Sequence, residues 1–218
     1  MINNLKLGLR VVKYSLGAKR CIVVGVICMV FGIVATIGAP REGINGAMFG
    51  MAAMIIAQLL CSISASTMVQ SSPCKRKLQT SVPTTVCGAS MLLLQTVSLI
   101  ALLLGAKLNH VELEELANPL VFNAIYMVLM CLYMAGAMKV FWLATVCFTF
   151  VFLVFFHLVM VSFIIEKVPL VTLSFGASVA VSYLLLIIAI VLMYIILLAT
   201  YKREIAKQNF ESELKREK

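Results

Sequence analysis

The side chains able to do chemistry in this chain are few, and their spacing excludes most reactions. It has two histidines, His110 and His157, and its nine acidic residues are all Glu. An intramembrane zinc protease needs HExxH or a comparable cluster, and two distant histidines cannot supply one. The cysteines at 21, 28, 61, 74, 87, 131 and 147 show no metal-ligand spacing and read as small apolar packing residues. No GxxxxGK[ST] loop is present, so ATP hydrolysis by that route would belong to another chain. We therefore expect no catalytic residue, no metal site and no cofactor here. The polar residues that remain notable are Gln58, Gln95, Asn123 and His157, each set in a long apolar stretch. An ionisable or strongly polar group inside a membrane is a functional hypothesis by default. These four are the candidate lining of a translocation path. The competing reading is interhelical hydrogen bonding, worth roughly 0.6–2 kcal/mol each.

The elements that must position them are membrane helices. Hydrophobic residues make up 62% of the chain and mean hydropathy is +1.07, more apolar surface than a soluble domain of 218 residues needs. An all-α, polytopic bundle of six crossings is predicted, at 22–39, 47–69, 85–106, 120–138, 140–165 and 178–200. About 20 apolar residues span a core of about 30 Å. Segment 120–165 is too long for one crossing and suits two, with Gly136 and Lys139 at the turn. Fifteen of the eighteen Lys and Arg fall in alternate gaps; Arg41, Lys107 and Lys167 are the exceptions. Basic residues are retained on the cytoplasmic side, so both termini are expected there. The first apolar run is longer than a cleavable signal's core and reads as a retained anchor. The one-sided placement of the +9 net charge points to anionic lipid rather than nucleic acid.

The gaps carry further information. Residues 3–18 read as a helix lying on the membrane surface, with Leu5, Leu9, Val12 and Leu16 on one face and Lys6, Arg10 and Lys13 beside it. Gly46 and Gly50 form a GxxxG pattern, and Gly43, Gly50, Ala57 and Ser64 repeat every seven residues. Small residues at such spacing let helix backbones approach closely, within one bundle or across a dimer seam. In the second gap, Ser72 can cap a helix, Pro73 suits its first position and Pro83 ends it. A short cytoplasmic helix is thus bracketed within 71–83. Five of the nine Glu, at 42, 112, 114, 115 and 166, lie on the outer side. Pro169 and Gly176 suggest that 168–177 forms a short outer-leaflet piece, and 201–218 is a charged, solvated tail.

Together these features resemble the membrane subunit of type-2 ATP-binding-cassette exporters, six-helix permeases paired with separately encoded ATPases. The amphipathic N-terminal helix is similar to that family's connecting helix. The loop 71–83 falls where the family has its coupling helix, and Ser72 to Arg76 resembles its Pro-x-x-Arg loop. The added apolar length before the sixth crossing is similar to its outer hairpin. The short outer loops and the small link near Lys139 depart from the pattern. The resemblance implies an exporter in a cell membrane, of the bacterial plasma-membrane kind, driven by an ATPase partner that binds ATP and magnesium. It implies a second permease copy or a related permease, and coupling through Pro73, Lys75, Arg76, Lys77, Leu78 and Gln79. Two other readings are the substrate-binding component of an energy-coupling-factor vitamin importer and a non-transporting membrane scaffold or immunity protein. The first would bind a ligand in an outer pocket; the second would have neither ligand nor ATPase.

Overall fold

The computed structural model describes residues 2–13, 18–42, 45–65, 69, 71–137, 140–160 and 173–201. At some helical positions, Gln58, Ala57 and Ser64 among them, only the backbone is described. Among the described residues the structure is helical, with no strand. The helices are α1 (Ile2–Lys13), α2 (Ala18–Gly38), α3 (Gly46–Ala65), α4 (Lys75–Gln79), α5 (Ser81–Asn109), α6 (Ala117–Ala137), α7 (Phe141–Met160) and α8 (Phe175–Ala199). A 3-10 turn, Leu113–Leu116, leads into α6. Four helical stretches are long and apolar enough to cross a membrane: Ala18–Gly38, Lys75–Asn109, Leu113–Ala137 and Phe175–Ala199. The other two long helices, α3 and α7, are 20 residues each.

α6 is the hub, with α3, α5, α7 and α8 packed around it. Its sequence allows this: Ala117, Ala124, Ala135 and Ala137 keep its girth small, and Phe122, Tyr126, Met127 and Met134 fill the spaces between neighbours. α2 lies outside, against α3 and α5, and presents Val23, Ile27, Phe31 and Val34 outward. In water such a face would be a liability; in lipid it costs nothing to leave uncovered. α7 joins α6 through an aromatic seam. Phe155 meets Phe122 at 5.7 Å and Tyr126 at 5.2 Å, both edge-on, and Phe148 lies 4.6 Å from Tyr133. Such pairs add about 0.5–1.5 kcal/mol each beyond burial. The hairpin between α6 and α7 is tight, since a Cβ on Gly136 would come within 3.2 Å of Ala144.

Buried helix ends must have their carbonyls satisfied, and one end of the bundle shows how. Asn109 Nδ2 donates to Ile37 O and Gly105 O, both at 2.8 Å, stitching the end of α5 to the end of α2. Gly105 permits the approach, because a Cβ there would sit 2.9 Å from the Thr36 carbonyl oxygen. Asn45 Nδ2 donates to Ala35 O and Ala39 O. α5 closes on His110, whose φ of 52° is left-handed.

Three features of the structure differ from the sequence reading. Pro83 does not end a helix; it lies in the first turn of α5. The first N–H groups of a helix have no internal partner, so a missing donor costs nothing there. The short helix in this gap is accordingly Lys75–Gln79, not the whole of 71–83. Second, α1 does not present Leu5, Leu9 and Val12 together. Leu5 and Val12 pack on the core while Leu9 is 56% exposed. Gly8 governs the docking: it is buried, and a Cβ on it would overlap Val86 of α5. Third, α8 starts at Phe175, capped by Ser174 Oγ accepting from Ala177 N. The 168–177 piece otherwise lies largely outside the described residues, as do the tail from 202, Leu16, and Lys139 at the fourth-to-fifth turn.

Candidate functional site

Two places gather the residues that the sequence singles out. The first is the elbow between α3 and α5. Ser72 Oγ accepts from Cys74 N at 3.2 Å and Ser72 O from Lys75 N at 3.0 Å, so Ser72-Pro73-Cys74 turns the chain into α4. α4 has five residues, too few to be stable alone, and is held by its own last turn and the start of α5. Thr80 leaves helical geometry at φ −122°, ψ −76° and puts a kink before α5. Thr80 Oγ1 donates back to Arg76 O at 2.7 Å, and Thr84 Oγ1 to Thr80 O at 2.9 Å. Gln79 and Thr80 are buried and Leu78 packs against the main core. Pro73, Cys74, Arg76 and Lys77 are exposed, and Lys75 is half-buried. Three anchored residues thus display an adjoining cationic tip.

The second place is a buried polar network where α5, α6 and α8 meet. Gln95 and Ser98 of α5, Asn123 of α6 and Ser178 and Ser182 of α8 are each at most 2% exposed. Asn123 Nδ2 donates to Ser98 Oγ. Gln95 Nε2 and Ser182 Oγ both donate to Leu120 O, each at 3.4 Å. One carbonyl in the first turn of α6 thus accepts side chains from two other helices. Among the described residues, Gln95 Oε1, Asn123 Oδ1, Tyr126 OH and Ser178 Oγ have no hydrogen-bond partner. Gly46 of α3 seats against Asn123: a methyl at Gly46 would overlap its amide, and the backbone of Asn123 would be 2.9 Å away. Gly50, one turn on, faces Tyr126 with a looser 3.4 Å.

The structure therefore brings Gln95 and Asn123 into one network, flanked by Gly46. It separates them from His157, which lies on the exposed face of α7. His157 continues the stripe of Val146, Phe150 and Leu153, all exposed, on the side away from the aromatic seam. The side chains of Gln58, Ala57 and Ser64 lie outside the described residues, as does Gly43. Sequence reasoning missed Ser98, Tyr126, Ser178 and Ser182. Their signal was spacing: Gln95 and Ser98, Asn123 and Tyr126, and Ser178 and Ser182 are three or four apart and share a helix face. Among the described residues no group of three or more His, Cys, Asp or Glu is placed to hold a metal.

At the end of the bundle where α2, α5 and α6 are stitched together, Arg41 pairs with Glu115, both solvent-exposed. Such a pair contributes about 0–1 kcal/mol and ties the α2–α3 link to the 3-10 turn. Comparison of the chain with protein-family models, with curated proteins and with solved structures found no match.

Proposed function

We propose that the chain is a membrane transport subunit, the permease of an exporter driven by a separate ATPase. The observation that carries this reading is the elbow. A helix of five residues, fixed by Leu78, Gln79 and Thr80 and displaying Arg76 and Lys77, exceeds what a chain reversal requires and suits insertion into a partner's groove. Its cations favour an acidic lining there. The proposed topology has six crossings, with α3 and α7 added to the four longer helices, and both ends of the chain in the cytoplasm of a bacterial-type cell. The asymmetry of Lys and Arg supports this orientation.

The path is proposed to lie between two copies of the chain, or between this chain and a related permease. The closed packing of Gln95 and Asn123 supports that placement, since residues at 0% and 2% exposure line nothing that cargo can reach within one bundle. Movement of the elbow is transmitted to α5, into which α4 leads directly. The test is copurification with a co-expressed ATPase subunit of the ATP-binding-cassette type. Arg76→Glu with Lys77→Glu is expected to abolish association while leaving a monodisperse, folded membrane protein. Undiminished association would refute the docking role of the elbow.

A further inference from the structure

Between α2, α3 and α5 lies a half-open groove of about 230 Å³. Cys21, Gly25 and Met29 of α2, Ile56 of α3, and Ser90 and Leu94 of α5 wall it, and its surface is almost wholly apolar. From Cys21 to Met29 the α2 wall is about 12 Å long at 1.5 Å per residue. The acyl region of one leaflet is about 15 Å deep, half of a hydrocarbon core of about 30 Å. The groove begins immediately after Lys19 and Arg20, both exposed. α1 crosses the same end: Gly8 seats on Val86, one turn before Ser90, and Lys6 and Arg10 are exposed. The glutamates among the described residues, Glu42, Glu112, Glu114 and Glu115, all lie at or beyond the far ends of α2 and α5.

We propose that this groove is a binding site for an anionic phospholipid. One acyl chain lies along α2 past Gly25, and the phosphate is held at the cationic rim by Lys19 with the α1 cations. Basic residues beside an interhelical cleft on the cytoplasmic side recruit anionic headgroups in this way. A zwitterionic lipid would fill the slot but bring no net charge to the rim. A soluble acidic ligand would satisfy the rim but leave the slot empty. A second copy could place only side chains in this volume, and a chain of net charge +9 is a poor counter-charge for the rim. The site requires α2 to be in a bilayer and is independent of any ATPase.

The test uses the full chain in mild detergent with phosphatidylglycerol or phosphatidylcholine added, read by native mass spectrometry. One phosphatidylglycerol per chain is expected to survive activation that strips phosphatidylcholine. Gly25→Leu should abolish retention by filling the slot; among the described residues a Cβ there meets only Ile55 within 4 Å, at 3.8 Å. Lys6→Gln with Lys19→Gln should weaken retention about fivefold per charge removed. Equal retention of the two lipids, or full retention by Gly25→Leu, would overturn the proposal. So would Gly25→Leu dissociating a dimer with lipid unchanged, which would assign the groove to a second copy. If Gly25→Leu cannot be purified, undiminished retention by the Lys pair is itself decisive against the site. Loss of ATPase association in the elbow variant leaves all these readouts in place, so the two ideas fail separately.

Discussion

At Gly46 the absence of a side chain matters for a reason specific to its neighbour. A Cβ there would drive into Asn123, so Gly46→Ala must displace α3 from α6 and is expected to cost ~1–3 kcal/mol, the range for overpacking. Gly50→Ala meets Tyr126 at an ordinary 3.4 Å. It should be neutral or stabilise by up to ~1 kcal/mol, because alanine is the better helix former. Steric-trap unfolding in bicelles measures both, and equal costs would show that the pair acts as one motif. Asn123→Ala removes the donor to Ser98 and should lower unfolding free energy by ~0.6–2 kcal/mol. A cycle with Ser98→Ala isolates the bond, and a coupling of zero would mean that the contact is incidental. His157 shows why a polar residue in an apolar run cannot be assigned from its type. It is exposed on α7, whereas Asn123 is buried, and nothing local in the two sequences distinguishes them.

Among elements, the helices themselves were legible and their orientations were not. Long apolar runs locate helices, so α2, α5, α6 and α8 could be read from composition. A helix apolar all round has no amphipathic face to say which side is buried, and that information resides in partners far along the chain. α1 is the exception that carries a face, but the glycine turned it: Gly8, not Leu9, meets α5. The elbow was legible as a break between two runs, while its limits were not, because proline both stops and starts helices and Pro83 does the latter. That placement yields a prediction. Pro83→Ala should leave α5 intact and cost only about 1–2 kcal/mol, the burial lost with two ring methylenes of a buried residue. Proline introduced at Gln95, mid-helix, should cost ~3 kcal/mol or more. Circular dichroism melts in detergent compare them.

For the whole molecule the distribution of charge makes sidedness an experiment with a native reporter. Cys74 is exposed on the elbow. A membrane-impermeant maleimide should label it in inverted vesicles and spare it in intact cells, while His110→Cys, introduced with Cys74→Ser, should behave oppositely. The reverse pattern would invert the topology. The architecture also has a cost that falls before the protein is finished. Leu113–Ala137 is the least apolar of the four long stretches, with mean hydropathy 1.9 in its most apolar part against 2.7 for Ala18–Gly38 and 3.0 for Phe175–Ala199, in part because it carries Asn123 and Tyr126 for its neighbours. As it leaves the ribosome it can hide those groups from hydrocarbon only against helices already made, α3 and α5, and α8 is still unsynthesised. Release of this segment from the translocon should therefore wait on the helices ahead of it, so that damage to the hub surfaces first as degraded nascent chains rather than as a weakened mature protein.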